Sequence, residues 1–242
     1  MTMLPWMDPG AENFPPSNRA LDEPNGLIAA GGDLSAGQLL AAYRRGIFPW
    51  YGEGQPILWW TPTPRLVLFP EKLHISRSMV KLLRQQTFTV TTDRCFQAVM
   101  RNCANPRPGQ NGTWISDEMI NAYCRLHEAG YAHSVEVWHD EALVGGLYGI
   151  AIGPVFFGES MFSRTSNASK VAFIHLVTGL RHAGFHMIDC QVYTQHLASL
   201  GATEISREAF EQRLPAAGAQ PLPWPASLIS QTPSEVDFGS TR

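Results

Sequence analysis

Apolar residues recur every three to four positions in several segments of the first half of the chain, as they do on the buried face of an amphipathic helix. The first segment begins at Ser35, which with Gln38 has the spacing of a capping box, and it ends before Gly46. It predicts a helix over residues 35–45. Further helices are predicted at residues 76–86, 93–103 and 116–130, and a strand at 88–91.

From residue 132 the hydrophobic period changes to two, which indicates strands. The predicted strands cover residues 132–138 and 143–152, which form a hairpin, and then 155–162 and 185–193. Ser166 or Asn167 caps a predicted helix over 168–181, and a short last helix begins at Ser206. This order predicts an α+β fold, a mixed sheet with helices packed on it. The Pro-rich tail after residue 214 is expected to be loosely ordered.

Two segments dense in Pro and Trp, residues 46–50 and 59–64, follow the first predicted helix. Such segments are rigid loops, so we expect a small N-terminal domain over residues 1–63 and a larger domain over 64–242. The chain has 242 residues, of which 44% are hydrophobic and 16% charged, and this is ordinary globular composition.

Targeting signals and metal motifs are missing from the sequence. The N-terminus lacks the basic and apolar regions of a signal peptide, and no apolar stretch approaches the ~20 residues that span a bilayer. The four cysteines have neither CxxC nor zinc-ligand spacing. We therefore expect a cytoplasmic protein with reduced thiols, no bound metal and no membrane partner.

The charge distribution is uneven, although the net charge is only −3. Residues 41–110 contain ten Lys or Arg and three acidic residues. Within this region Arg77, Lys81 and Arg84 share one side of a predicted helix, which we call the basic face. A basic region on an acidic protein is typical of polyanion binding, but a solvated charged surface would give the same pattern.

The predicted strand that contains MIDCQV, residues 187–192, carries the most informative polar residues. Alternation places Asp189 and Gln191 on one face and Cys190 on the other. Burying Asp189 and Gln191 is costly unless they are hydrogen-bonded or functional. A Cys190 nucleophile is the weaker reading, because Cys190 points away from Asp189 and a buried apolar Cys is usually inert.

Glu159 is the one charged residue of an aromatic strand, and Gly158 beside it permits close approach of a neighbouring segment or a ligand. Together with Asp189 on a neighbouring strand it would form an acidic pocket suited to a cationic substrate. Trp50 and Trp114 fall on loops, where an indole either anchors the loop or stacks on an unpaired base.

Eight motifs in this sequence resemble the leucyl/phenylalanyl-tRNA–protein transferase family. They are collinear between about residues 13 and 214. The motifs are GLIAAGGDL (26–34), GIFPW (46–50), WWTPTPR (59–65), HSVEVW (133–138), GGLYG (145–149), GESMFS (158–163), NASK (167–170) and IDCQ (188–191). Eight matches in order make coincidence implausible.

The resemblance implies a family-specific N-terminal domain and a C-terminal domain with an N-acetyltransferase-like fold. It implies transfer of Leu or Phe, and less readily Met, from tRNA to an N-terminal Arg or Lys, which marks a protein for degradation by the N-end rule. Asp189 and Gln191 then match the family's catalytic pair, Glu159 its active-site glutamate, and Trp50 and Trp114 the aromatics near the terminal adenosine of the tRNA. The aminoacyl pocket is implied at Leu147, Phe156, Met161, Phe173, Leu176, Leu180 and Ile188.

For this reaction we expect no cofactor, because the aminoacyl ester is already activated. We also expect the protein to be a monomer. Gln191 would orient the attacking amine, polarised by Asp189, and the proton could leave through Asp189, water or a tRNA hydroxyl. Glu159 would bind the cationic side chain of the acceptor. Asp189→Asn is expected to slow transfer with little effect on folding.

Two other functions remain open at this point. The first is an acyl-CoA N-acetyltransferase, but the stretch that would bind pyrophosphate, residues 163–170, has no glycine. The second is a catalytically silent RNA-binding adaptor, which would require Asp189 and Gln191 to be a hydrogen-bonded pair in the core.

Overall fold

The computed structural model describes residues 4–105, 113–214 and 222–230. Most of the predicted loop at 105–112 therefore lies outside the described residues, as do 215–221 and 231–242 of the tail. Among the residues described, no helix is long and apolar enough to cross a membrane.

The first part of the chain forms a four-stranded sheet in the order β1-β2-β4-β3. Its strands are β1 (Trp6–Met7), β2 (Leu27–Gly31), β3 (Phe48–Pro49) and β4 (Leu58–Trp60). Helix α1 (Ala36–Tyr43) begins as predicted, with the Ser35 side chain accepting the backbone N–H of Gln38. Only half of the capping box forms, because the Gln38 side chain accepts from Asp33 N and donates to Ala11 O instead of returning to Ser35.

The second sheet has seven strands in the order β11-β5-β10-β9-β8-β7-β6. They are β5 (Arg65–Leu68), β6 (Thr89–Thr92), β7 (Ala132–His139), β8 (Ala142–Ile152), β9 (Val155–Ser163), β10 (Met187–Gln191) and β11 (Thr203–Ile205). Neighbouring strands are antiparallel except β9 and β10, which are parallel. The predicted mixed α+β architecture is confirmed.

Seven helices accompany this sheet in the described residues. They are α2 (Arg77–Arg84), α3 (Phe96–Ala104), α4 (Asp117–Glu128), α5 (Ala168–His182), α6 (Gln195–Ala198), α7 (Arg207–Glu211) and α8 (Ala226–Ile229). The side chains of Ser76, Ser116 and Ser206 cap α2, α4 and α7 as predicted. Two starts differ: α3 begins after Asp93, which has φ +58°, and Asn167 before α5 has φ +67° and makes no capping hydrogen bond.

Two hydrophobic clusters cover the two faces of the seven-stranded sheet. One joins it to the four-stranded sheet, with Trp59 of β4 packed in the same core as Val67, Phe157 and Phe210. The other packs α5 against the opposite face. The first sheet ends at residue 60 and the second begins at 65, close to the expected domain boundary. The two sheets share the first hydrophobic cluster.

Residues 222–230 pack against the outside of the larger sheet. The Trp224 ring stacks on His133 at 4.0 Å, and its Nε1 donates to Thr92 Oγ1 at 2.9 Å. Ile229 is fully buried, and α8 packs against α5. The expectation of a loosely ordered tail is therefore wrong for this segment, because an aromatic and an aliphatic side chain anchor it.

Candidate active site

Strands β9 and β10 part in the middle of the sheet, and a cavity opens where they separate. Their parallel pairing ends at Phe157 and Asp189. Each strand is irregular at this point: Glu159 has no partner residue on β8, and Cys190 has none on β5. Bulges of this kind bend a strand and re-aim its side chains. The resulting cavity has a volume of about 780 Å³.

One wall of the cavity is apolar. Six of the residues assigned to the aminoacyl pocket line it: Leu147, Phe156, Met161, Phe173, Leu176 and Ile188. Leu180 does not line it and is fully buried in the core under α5. The reason is distance, because at 1.5 Å per residue Leu180 lies about 6 Å further along α5 than Leu176.

Two tryptophans of the predicted loops lie at the cavity. Trp50 and Trp114 both line it, and Trp50 is 45% exposed. The indole of Trp60 donates to the Trp50 carbonyl at 2.6 Å and packs against the Trp50 ring with centroids 5.8 Å apart. The Trp50 loop is therefore held in place while its indole remains accessible.

Asp189 is sealed in a bidentate ion pair with Arg65. Arg65 Nε donates to Asp189 Oδ1 at 2.8 Å and Nη2 donates to Oδ2 at 2.6 Å, and both side chains are 1% exposed. The guanidinium lies between the rings of Phe48 and Phe210, at 4.8 and 4.6 Å from their centroids. Sequence reasoning did not assign Arg65 to the site, although a lone charge on the buried strand β5 was a usable signal.

Gln191 contacts Glu159 with its side chain and Asp189 only with its backbone. Its backbone N–H donates to Asp189 Oδ1 at 2.9 Å, whereas its Nε2 donates to Glu159 Oε1 at 2.9 Å. The bulge at Cys190 and a φ of +62° at Gln191 break the alternation that predicted a shared face for Asp189 and Gln191. The expected polarisation of the Gln191 side chain by Asp189 does not match this geometry.

Two tyrosines that sequence reasoning missed hold Glu159 from the other side. Tyr123 Oη donates to Glu159 Oε2 at 3.2 Å, and the hydroxyls of Tyr43 and Tyr123 are 2.5 Å apart. Both lie on the buried stripes of helices, where a tyrosine gives the same sequence signal as any core aromatic.

Burial raises the pKa of Glu159 to about 8. The hydrogen bond from Tyr43 opposes this rise, the nearby Asp189 charge adds to it, and Tyr123 and Arg65 lower the pKa in part. Glu159 therefore keeps its proton to a higher pH than an ordinary carboxyl group, and near pH 8 its protonated and ionised forms coexist. The expected pocket with two fully charged carboxylates is not what forms, because Asp189 is paired with Arg65 and burial makes Glu159 a weaker acid.

Cys190 and the basic face, the other candidates from the sequence, take no part in the hydrogen bonds among Arg65, Asp189, Gln191 and Glu159. Burial, followed by the Asp189 charge, raises the pKa of the Cys190 thiol well above its usual value, which argues against a thiolate nucleophile. The basic face on α2 is exposed and does not line the cavity, while Met79 and Leu83 on the other side of this helix are buried.

Comparisons with known proteins agree with one another. A family model described as leucyl/phenylalanyl-tRNA protein transferase matches residues 67–215, and the model of that family's N-terminal domain matches 32–63. The chain is 58% identical over 223 residues to the leucyl/phenylalanyl-tRNA–protein transferase of Cellvibrio japonicus, covering 92% of this chain and 95% of the relative. It is 61% identical over 212 residues to that of Nitrosospira multiformis, covering 88% and 91%.

Two solved structures are similar at much lower levels. A GCN5-related N-acetyltransferase from Kribbella flavida has a TM-score of 0.37 and 11% identity, covering 71% of this chain and 61% of that one. L-PGS from Bacillus licheniformis has a TM-score of 0.38 and 11% identity, covering 71% and 57%. Scores this low add nothing to the fold described above.

Proposed function

Since the chain belongs to the leucyl/phenylalanyl-tRNA–protein transferase family, and is thus an aminoacyltransferase, we propose that it transfers Leu or Phe, and less readily Met, from aminoacyl-tRNA to the α-amine of an N-terminal Arg or Lys. The product would be a protein with one added residue, marked for degradation by the N-end rule.

The observation that carries this proposal is one cavity lined by both apolar and polar residues. The apolar wall formed by β8, β9, β10 and α5 suits the side chain of Leu, Phe or Met, which offers no polar group to bind. The same cavity is lined by Gln191 and Glu159, which are hydrogen-bonded to each other and suit an amine. An apolar acyl group and an attacking amine could thus meet where β9 and β10 part.

The tRNA would be held by two separate features. Trp50 and Trp114 at the cavity would stack on or beside the terminal adenosine. The exposed basic face would contact phosphates, which contribute affinity without sequence preference.

Catalysis by this site would rest mainly on positioning. The ester is already activated, and correct alignment of ester and amine is worth up to ~7–11 kcal/mol. Because Gln191 Nε2 is engaged by Glu159, its Oε1 is the atom left to accept an N–H of the amine. Asp189 would orient Gln191 by accepting its backbone N–H, with Arg65 fixing the carboxylate in turn.

Glu159 receives a different role from the one that the sequence suggested. The charge of an Arg or Lys side chain lies several covalent bonds from the α-amine. Glu159, in contrast, accepts a hydrogen bond from Gln191, the residue that would orient this amine. Its raised pKa also makes it a weak anion at pH 7. We therefore place Glu159 at the reacting amine and not at the end of the acceptor side chain.

Transfer of radiolabelled leucine from leucyl-tRNA to a peptide beginning with Arg tests the proposal. The label should appear in the Arg or Lys peptide, but not in one beginning with Ala. Acetyl-CoA and leucyl-CoA should be inactive donors, and their activity would favour an acyl-CoA transferase. Binding of tRNA without any transfer would favour the silent RNA-binding adaptor.

A further inference from the structure

The peptide bond can form only after the α-ammonium of the acceptor loses a proton, and the structure allows the group that takes it to be identified. We propose that the Glu159 carboxylate is the proton acceptor for the α-amine, and that Asp189 is not. This inference rests on the proposed function, since it concerns the same reaction in the same cavity.

Asp189 is excluded by its surroundings. Both of its oxygens accept N–H groups of Arg65, and Oδ1 also accepts the backbone N–H of Gln191. Its side chain is 1% exposed. Protonation of Asp189 would break a hydrogen bond from the guanidinium in a buried site, and it would leave the Arg65 charge buried and unpaired.

Glu159 has the access that Asp189 lacks. It is the residue without a β8 partner in the β9 bulge, and it is only partly buried. Asp189 also lines the cavity but is fully buried. Gln191 Nε2 and Tyr123 Oη hold one oxygen each, which fixes the carboxyl beside Gln191 and leaves further lone pairs on both oxygens.

The cavity holds one other titratable base within the described part of the chain, His196 on α6. Its imidazole Nε2 makes no hydrogen bond to a described residue, whereas Glu159 is hydrogen-bonded to Gln191. Burial lowers its pKa, and the charge of Lys170 lowers it further. Glu159 is therefore the base tied to the amine-orienting residue.

Every proton of the ester aminolysis can be accounted for with Glu159 as the acceptor. An N–H bond of the ammonium breaks and an O–H bond forms on Glu159. The neutral amine then attacks the ester carbonyl, and a second N–H proton goes to the departing 3′-oxygen of the tRNA ribose as the amide forms. Glu159 finally releases its proton to solvent. Neither an oxidant nor a metal is required for any step.

The electrostatic setting of Glu159 suits this transfer. The groups that face it are Tyr43 from α1, Tyr123 from α4, Tyr148 from β8, Asp189 from β10 and Arg65 from β5. Burial and the Asp189 charge raise its pKa to about 8, against the hydrogen bonds from Tyr43 and Tyr123 and the charge of Arg65. This value is close to the ~7.7–8.0 of an α-amine, so the proton moves between groups of similar basicity.

A peptide substrate whose N-terminal group is already uncharged can separate a role of Glu159 in deprotonation from a role in substrate binding. The test compares the full-length protein with Glu159→Gln, using one peptide with a normal N-terminal Arg and one whose α-amine is replaced by an aminooxy group, which is uncharged at pH 7. A positioned base contributes about 10²–10⁴-fold to a rate. Glu159→Gln should therefore lose at least about 100-fold in kcat with the amine peptide and less than about tenfold with the aminooxy peptide.

Three controls make each outcome decisive. Glu141→Gln, an exposed carboxylate in the hairpin turn, should behave as wild type with both peptides. Glu159→Gln should still melt in one cooperative transition, and its aminoacyl-tRNA affinity should match that of the wild type. An equal deficit with both peptides, or full activity with the amine peptide, would overturn the assignment to Glu159. Failure of the wild type to modify any Arg or Lys peptide would instead overturn the proposed function.

Discussion

The Asp189→Asn variant should be much less stable than the wild type, although the substitution only changes one carboxylate oxygen to an amide nitrogen. The substitution removes the negative charge that Arg65 contacts at 2.6 and 2.8 Å and leaves the guanidinium buried between Phe48 and Phe210. Breaking a buried ion pair by removing one partner costs about 3–5 kcal/mol. A domain's total stability is typically about 5–15 kcal/mol, so the loss is a large share of it.

Urea denaturation followed by circular dichroism measures this loss directly. For a chain of this size 1 kcal/mol corresponds to roughly 2–4 °C in Tm, so Asp189→Asn should also melt about 6–20 °C below the wild type. Asp117→Asn is the matched control. It breaks a pair with Arg101 at 3.9 Å whose side chains are 87% and 60% exposed, and it should cost no more than about 1 kcal/mol.

The double variant Arg65→Met with Asp189→Leu tests the physical cause. Replacing a whole buried ion pair by apolar residues of similar volume is often neutral or stabilising. The double variant should therefore regain most of the stability that Asp189→Asn loses, while remaining inactive. If the free energy of unfolding of Asp189→Asn lies within about 0.5 kcal/mol of the wild-type value, the ion pair does not stabilise the fold, and the expectation of an unaffected fold holds.

Three further predictions concern the wall, the basic face and the pH dependence. Leu176→Ala should enlarge the cavity and raise the Phe/Leu donor ratio, whereas Leu180→Ala should cost about 2–5 kcal/mol in stability without changing this ratio, as donor competition and melting would show. Replacing the whole basic face by Ala should weaken binding of all tRNAs alike and flatten its salt dependence, and an unchanged salt slope would make it a solvated surface. Because folding raises the pKa of Glu159 from 4.5 to about 8, the folded state holds a proton that the unfolded chain has lost. The contribution of this group to stability is therefore full below about pH 4.5 and is lost as pH rises through 8; Glu159→Gln should lack this decline in pH-dependent urea unfolding.

The sequence predicted the elements that depend on local interactions. The serine caps of α1, α2, α4 and α7 lie where the pattern placed them, and the hairpin of β7 and β8 follows from a period of two. These features depend on residues a few positions apart, so a single sequence contains the required information.

The site depends on contacts that no local pattern encodes. Arg65 and Asp189 are 124 positions apart in the chain, and nothing near either residue specifies the other. The bulges at Glu159 and Cys190 shift side chains from the faces that strict alternation assigns. Leu180 was misassigned for a related reason: helical spacing shows which residues share a face but not where along the helix the cavity ends.

The position of Trp224 has a practical consequence for protein engineering. The family match ends at residue 215, and a protein shortened to that point would keep every lining residue of the cavity. It would nevertheless lose the indole that stacks on His133 and lies 5.8 Å from the ring of Phe156, which forms part of the apolar wall. It would also uncover the surface of α5 that Ile229 fills beside Gly179. A truncation designed from the family boundary alone would thus retain the residues that line the cavity and remove an aromatic contact of its apolar wall. We therefore expect a shortened protein that ends after residue 230 to be more stable than one that ends at 215.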